Sequence, residues 1–339
     1  MKMQVRSREP RRWLFTSRVA AILAAVQLEL AVAQAQTEPN DLGPNAVVAA
    51  KVQGEPIFFR EVQREVAKVV KDRQTEPEAL KILQAQSLEQ LIKRRLILRY
   101  LDRQQQGASD QDVTLAIERA KDRLGQQQLT LEEYLRRSGL TEEEFKLTIE
   151  WQLGWQGYLD RYLSEKNLQS HFEKNRKEFD GSQVRAAHIL LKVKPGDSQP
   201  AWDAALQTAK TIRAEITSGK IAFAEAAKKY SQAPSGSNGG DVGFISRQEP
   251  MSEPFSRAAF ALEKGQVSEP VISPFGVHII QCLEVKPGQN RWHDVRKDLE
   301  IAVTRYLFDW VADQERPQAT VEYTGSSPHF KAGTNELAN

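Results

Sequence analysis

The chain has 339 residues, of which 40% are hydrophobic and 27% charged, a composition typical of a soluble protein with more than one domain. Its net charge of +2 is uneven: residues 1–36 carry a net +4, so the remainder carries −2. A nearly neutral body argues against nucleic acid as a main ligand, because binding phosphates needs clustered positive charge. The single Cys, Cys282, excludes a disulfide framework within the chain and a metal cage of thiolates.

Residues 1–35 have the layout of a secretory signal peptide. Several arginines precede the most apolar run of the chain, residues 19–33, which ends in small residues suited to cleavage. The run is short for a membrane span, which needs about 20 apolar residues. Three interpretations remain open: a cleaved signal peptide, an uncleaved anchor that tethers the protein to a membrane, and a cytosolic amphipathic extension. The first two predict a protein exported to the periplasm or cell envelope.

After a polar linker at residues 37–45, residues 46–180 predict a helical domain. A short strand over residues 47–52 comes first, and apolar residues then recur at helical spacing up to about residue 177. Capping boxes mark two of the helix starts, namely Thr130 with Glu133 and Thr141 with Glu144.

A smaller unit begins at Gly181 and ends at residue 289. Strand and helix signals alternate there in the order β-α-α-β-α-β, which is that of a complete α+β domain. The predicted strands cover 184–193, 242–246 and 277–285, and the predicted helices cover 201–218, 223–230 and 254–261.

Residues 290–325 predict one more helix, at 292–315, and a last strand near Glu322. We expect this helix to pack on the N-terminal helices and the strand to pair with the one near Val48. The tail from Ser326 is expected to be loose. The predicted fold class is therefore multidomain: an all-α N-terminal body completed by a C-terminal helix, plus an α+β domain.

Two histidines, His188 and His278, are embedded in apolar strands of the α+β domain. If those strands are neighbours, the two imidazoles meet within one sheet. A lone strand histidine is most often a satisfied core residue, but two in one small domain favour a joint role. A metal site would need a third ligand at matching spacing, and none is evident. Cys282 is expected to be a small buried hydrophobe, and the other three histidines, His171, His293 and His329, are expected in solvent.

Motifs within the α+β domain keep a characteristic order and spacing, at residues 187–190, 223–227, 230–231, 239–244, 254–255, 258–262, 265–271 and 275–280. On these motifs, residues 184–285 resemble the parvulin family of peptidyl-prolyl cis/trans isomerases. The signal segment, the turn at 52–57 and the flanking helices resemble the extracytoplasmic foldases of this family, of the SurA and PrsA type.

The resemblance implies non-covalent isomerisation of X–Pro bonds without a cofactor. Its partners would be unfolded or partly folded proteins that contain such bonds. The implied catalytic residues are the histidine pair and a small hydroxyl residue, His188, His278 and Ser273. The implied substrate-binding residues form the proline pocket or stand beside it, at Met251, Phe255, Phe275 and Ala233.

The chain departs from the family pattern at Ala233, where members usually carry Cys or Asp. Alanine can neither hydrogen-bond the histidines nor place negative charge near the amide. This departure favours an alternative, a non-catalytic holdase chaperone with a degenerate parvulin domain. One helix also carries an aromatic stripe that is either a client-binding ridge or part of the core, formed by Trp151, Trp155, Tyr158 and Tyr162.

Overall fold

A computed structural model describes residues 47–71, 75–194, 198–248, 250–331 and 337–338. The predicted signal peptide or anchor at 1–35 and the linker at 37–45 lie outside the described residues. Within the described part, no helix combines the length and the apolar character needed to cross a bilayer.

The body is built mainly from helices. Before the α+β domain these are α1 (Phe59–Val70), α2 (Pro77–Arg103), α3 (Asp110–Gln126), α4 (Leu131–Ser138), α5 (Glu142–Tyr162), α6 (Glu165–Lys174) and α7 (Arg176–Phe179); after it comes α11 (Arg296–Glu315). Both predicted capping boxes are confirmed: the Thr130 and Thr141 side chains accept from the third backbone N–H of α4 and α5.

A three-stranded antiparallel sheet joins the two ends of the body. Its strands are β1 (Val48–Val52), β2 (Glu55–Phe58) and β7 (Val321–Tyr323), in the order β2-β1-β7. The predicted pairing of first and last strands is confirmed, with Ala50 opposite Tyr323. The sequence did not predict β2. The expectation of a loose tail was wrong in part, because β8 (His329–Phe330) pairs with β9 (Leu337–Ala338).

The aromatic stripe of α5 belongs to the core of the body. Trp155 and Tyr158 are buried and stack on each other, with ring centroids 5.5 Å apart. The edge of Phe308 from α11 meets the Trp155 ring at 5.9 Å. Trp151 and Tyr162 flank this cluster and are partly buried. The stripe therefore packs against the C-terminal helix, and the interpretation as a client-binding ridge was wrong.

The α+β domain contains a four-stranded antiparallel sheet in the order β4-β3-β6-β5. In chain order its elements are β3 (Gln183–Lys192), α8 (Gln199–Thr217), α9 (Phe223–Tyr230), a 3₁₀ turn (Pro234–Asn238), β4 (Asp241–Ile245), α10 (Glu253–Ala261), β5 (Val271–Ser273) and β6 (Gly276–Lys286). The short strand β5 was not predicted.

Helices cover both faces of this sheet. On one face, Ile189 and Ile279 pack with residues of α8 and α9. On the other face, Ile280 and Cys282 pack with Phe255 of α10. Cys282 is fully buried, as predicted, and burial raises the pKa of its thiol. The alternation of side chains along β3 and β6 thus separates the two cores.

The chain enters and leaves the α+β domain at one place. The Asn290 backbone N–H donates to the Asp180 carbonyl at 2.9 Å, and the Gly288 N–H donates to Ser182 Oγ at 3.0 Å. A Cβ atom at Gly288 would collide with the Asp180 carbonyl, so only glycine allows the two connections to run this close.

Candidate functional site

A mostly apolar cleft of 420 Å³ opens on the α10 face of the sheet. Six of the seven residues expected at the site line it, namely His188, His278, Met251, Phe255, Phe275 and Ala233. The seventh, Ser273, is buried and hydrogen-bonded to His278. The structure therefore brings together residues from β3, β5, β6, α10 and the loops on either side of β4.

The two histidines are diagonal neighbours on adjacent strands. His188 of β3 lies opposite Ile280, and His278 of β6 lies opposite Leu190, so both side chains project from the same face. Their Nδ1 atoms are 3.2 Å apart, within hydrogen-bonding distance, which confirms the predicted contact. Both rings are buried, with exposed fractions of 8% and 4%.

The loop before β4 approaches the backbone of His188 closely and bonds to it. Its backbone N–H donates to the Gly240 carbonyl at 2.9 Å. Gly240 has a φ of +84°, and a Cβ there would collide with the His188 backbone. Glycine at this position therefore lets the loop before β4 approach the histidine strand.

Hydroxyl groups meet both ends of the histidine pair. Ser273 Oγ lies 2.7 Å from His278 Nε2, and Ser235 Oγ lies 3.0 Å from His188 Nε2. Each neutral imidazole has one donor and one acceptor nitrogen. The four groups therefore form one continuous hydrogen-bonded chain. Its donors and acceptors can be ordered in either direction, from Ser235 to Ser273 or from Ser273 to Ser235.

Sequence reasoning missed Ser235. It lies two residues after Ala233, the position where the family pattern places a polar side chain. The 3₁₀ turn that starts at Pro234 carries the Ser235 hydroxyl to His188. Ala233 forms part of the cleft wall but contributes no side-chain hydrogen bond. The only signal in the sequence was the Ser/Gly composition of residues 231–241.

The histidine pair is neutral at pH 7. Burial lowers the pKa of His188, and burial together with the proximity of His188 lowers the pKa of His278 to about 4. None of the described residues that line the cleft is Lys, Arg, Asp or Glu. The site therefore offers polar but uncharged groups beneath an apolar surface.

Aromatic rings form the floor and rim of the cleft. Phe255 of α10 is buried and meets both imidazoles edge-on, with ring centroids 5.4 Å apart in each case. Phe275 stands at the rim with 63% of its surface exposed. Met251 belongs to the loop before α10, and its side chain is more exposed than that of Phe255 and less exposed than that of Phe275. A ring of proline size would contact apolar groups on several sides here.

The remaining histidines lie away from this cleft. His171, expected in solvent, is half-buried with its ring 5.8 Å from Phe179, and burial lowers its pKa. His329 stacks on Tyr323 at 4.2 Å, while His293 is exposed as expected. Within the described part of the chain, no three His, Cys, Asp or Glu side chains are grouped so as to hold a metal ion.

Two protein families match different parts of the chain. Residues 188–284 match the PPIC-type PPIase domain, and residues 4–159 match the SurA-like N-terminal domain. Peptidyl-prolyl cis-trans isomerase Pin1 of Malus domestica is 38% identical over 114 residues, which cover 93% of that protein and 30% of this chain. The chain belongs to the parvulin-type peptidyl-prolyl isomerase family.

Longer relatives extend the match beyond the parvulin domain. The chaperone SurA of Cupriavidus metallidurans is 39% identical over 147 residues, which are 42% of this chain and 29% of SurA. Foldase protein PrsA 4 of Bacillus cereus is 31% identical over 198 residues, which are 57% of this chain and 61% of that foldase. The matches thus span less than two thirds of these relatives.

Proposed function

We propose that this protein is an exported foldase that catalyses cis/trans isomerisation of X–Pro bonds and acts as a chaperone for unfolded or partly folded proteins. The observation that carries the isomerase activity is the neutral chain Ser273–His278–His188–Ser235 beneath an apolar cleft. In this proposal the catalytic residues are His188, His278 and Ser273, and the proline pocket consists of Met251, Phe255 and Phe275 beside Ala233.

The cleft would lower the rotation barrier without a covalent step. Rotation about an X–Pro bond must overcome a barrier of ~18–20 kcal/mol, most of which is amide resonance. The planar amide is polarised by that resonance, so an apolar site favours the twisted amide. The pocket would hold the proline ring against Phe255 and Met251 while the preceding carbonyl rotates. The carbonyl oxygen can accept a hydrogen bond as it turns, and a hydroxyl or imidazole N–H of the chain could donate it by giving up its present partner.

The lining of the cleft favours uncharged residues before proline. A phosphorylated side chain carries about two negative charges and requires cationic partners. None of the described lining residues is Lys or Arg. We therefore infer that the substrates have an apolar or small residue before proline.

A groove in the helical body supports the chaperone activity. It has a volume of 890 Å³ and runs between α2, α5 and α11. Leu159, Leu163 and Phe308 supply apolar surface, and Ile301 at the edge is 60% exposed. We infer that extended segments of client proteins bind in this groove, since the aromatic stripe of α5 is buried.

The alternative, a non-catalytic holdase, depends on Ala233. Without a polar group at that position, the histidine pair would lose one hydrogen-bonding partner. Ser235 supplies a hydroxyl to His188, which supports the enzyme over the holdase.

The proposal includes the location and the limits of the domains. The basic and apolar segment at 1–35 supports export to the periplasm or cell envelope, with the segment either removed or kept as a tether. We propose a SurA-like chaperone domain at 46–180, a parvulin domain at 181–289 and a C-terminal extension at 290–325.

Exchange NMR on a Leu-Pro peptide tests the isomerase activity. The protein without residues 1–35 should accelerate cis/trans exchange, and Phe255→Ala should weaken peptide binding by removing the floor of the pocket. Peptide binding with no acceleration would establish the holdase instead.

Aggregation of an unfolded client tests the groove. Ile301→Ser should reduce the suppression of aggregation. Tyr306→Ser is the matched control, because Tyr306 is exposed on the same helix but does not line the groove. Equal loss in both variants would contradict the groove as the client site.

A further inference from the structure

Arg247 connects the parvulin domain to the helical body. It follows β4, and its side chain is only 15% exposed. Its Nη1 and Nη2 atoms donate to the two carboxylate oxygens of Glu253, at 2.6 and 3.1 Å. Its Nε donates to Glu178 of α7 at 3.1 Å. One guanidinium therefore holds two carboxylates from different parts of the molecule, as its fork of donors allows.

The loop between Arg247 and Glu253 carries Pro250 and Met251, and these two residues form part of one wall of the cleft. The bidentate contact between Arg247 and Glu253 ties the two ends of this loop together. Arg247 thus contacts Glu253, which lies two residues after Met251 of the wall that would contact the proline ring.

Lys177, which precedes Glu178 in α7, contacts the far end of the segment that begins at Arg247. Lys177 Nζ donates to the Leu262 carbonyl at 3.0 Å and pairs with Glu263 at 2.8 Å. Leu262 comes directly after α10, the helix that carries Phe255. Adjacent residues of α7 therefore contact both the start and the end of the segment that supplies the wall and floor of the cleft.

We propose that Glu178 is a positioning residue for the proline pocket: through Arg247, the helical body holds the Met251 wall in its binding geometry. Its kinetic consequence rests on the isomerase function proposed above. Glu178 acts on the Met251 wall through Arg247, so its loss should weaken substrate binding. Because Glu178 does not itself line the cleft, its loss should leave the histidine network unchanged. The expected effect is a higher KM with an unchanged kcat.

Met251 provides a direct spectroscopic probe. The sequence contains three methionines, and the other two, Met1 and Met3, precede the apolar run. In protein labelled with ¹³C at the methionine methyl groups, Glu178→Ala should shift or broaden the Met251 signal. Glu173→Ala is the matched control, because Glu173 is an exposed glutamate of α6 that pairs with Arg176 within the body.

Kinetics on the Leu-Pro peptide supply the second measurement. Glu178→Ala should raise KM by about two- to fivefold, the range expected for one partly buried ion pair. Arg247→Lys should have at least this effect, since lysine cannot hold both carboxylates. Because both changes act on one contact, the double variant should be less impaired than the product of the two single effects.

The proposal is overturned if Glu178→Ala leaves both the Met251 signal and KM as in the control. A lower melting temperature with an unchanged Met251 signal would also overturn it, because Glu178 would then be structural only. If the unaltered protein does not accelerate exchange, the proposed isomerase function fails. The Met251 signal still decides the positioning role in that case, since it requires no turnover.

Discussion

At His188, the two ring nitrogens reach different partners, His278 on one side and Ser235 on the other. Removing the Ser235 hydroxyl would leave Nε2 of a buried ring without its partner. We expect Ser235→Ala to lower kcat/KM for a Leu-Pro peptide about tenfold, since one such hydrogen bond contributes ~1 kcal/mol or slightly more.

Ser237→Ala is the control for Ser235→Ala. Ser237 lies in the same 3₁₀ turn but is exposed, and its hydroxyl donates to the Pro234 carbonyl rather than to a histidine. Equal rates for the two variants would mean that the Ser235 hydroxyl does not assist the histidine pair.

Ala233 offers the complementary test, in which a polar group is added. A carboxylate at this position of the cleft wall could accept a hydrogen bond from the histidine chain and disfavour amide resonance through its charge. Ala233→Asp should therefore raise the isomerisation rate by roughly tenfold. Suppression of client aggregation should not change, because we assign it to the groove. An unchanged rate in a stably folded variant would contradict an electrostatic role for this position.

The pKa of His278 predicts how stability depends on pH. Its folded-state value of about 4 lies below the ordinary value of 6.5, because burial and His188 disfavour the charged ring. The unfolded chain then binds a proton at a higher pH than the folded chain. The stabilisation is complete above about pH 6.5 and falls as the pH drops towards 4, by up to about 3 kcal/mol.

Urea unfolding at pH 7.5 and pH 4.5 measures this loss. His278→Gln removes the titrating ring, so the variant should lose less stability between the two pH values than the unaltered protein. An equal loss in both proteins would assign the pH dependence to other groups.

Among the elements, α5 illustrates how periodicity leaves a role undecided. Its aromatic stripe is helical in spacing, but Trp155 and Tyr158 are buried only because residues of α2, α6 and α11 pack with them in one cluster. We expect Trp155→Ala to lower the free energy of unfolding by about 3–5 kcal/mol, as for other large core side chains. Ile301→Ala, at an exposed site on α11, should change it by less than about 0.5 kcal/mol. A small loss for Trp155→Ala, measured by urea unfolding, would show that the stripe is not core.

The strand β5 illustrates the opposite case, an element that leaves no pattern in the sequence. It has three residues, too few for alternation to be visible, and it exists because Val271 and Ser273 pair with His278 and Gly276 of β6. This pairing brings the Ser273 hydroxyl to His278. The resemblance to parvulins identified Ser273, although no local signal predicted the strand that carries it.

For the whole molecule, we predict that residues 181–289 fold on their own. The two hydrophobic clusters on the faces of the sheet consist of residues from within this range. A thermal melt followed by circular dichroism should show one cooperative transition. Its midpoint should lie below that of the parvulin domain in the full chain, because Glu178 and Lys177 are absent. A melt without a cooperative transition would contradict these domain limits.

The sequence by itself determined the features that depend on neighbouring residues. Helical spacing and capping boxes marked most helices, short apolar strand-like segments marked β3, β4 and β6, and the resemblance to parvulins predicted the histidine pair and a proline pocket. Each of these signals lies within a short stretch of chain, where backbone geometry sets the period.

Only the tertiary structure decided the features that join distant segments. The contact of Ser235 with His188 spans 47 residues, and that of Arg247 with Glu178 spans 69. The burial of Trp155 depends likewise on α11, which lies beyond the whole parvulin domain. The local sequence around a polar or aromatic residue does not show whether its side chain contacts solvent or another segment of the chain. Packing alone supplies the partner, because the environment of a side chain depends on which surfaces the fold brings against it.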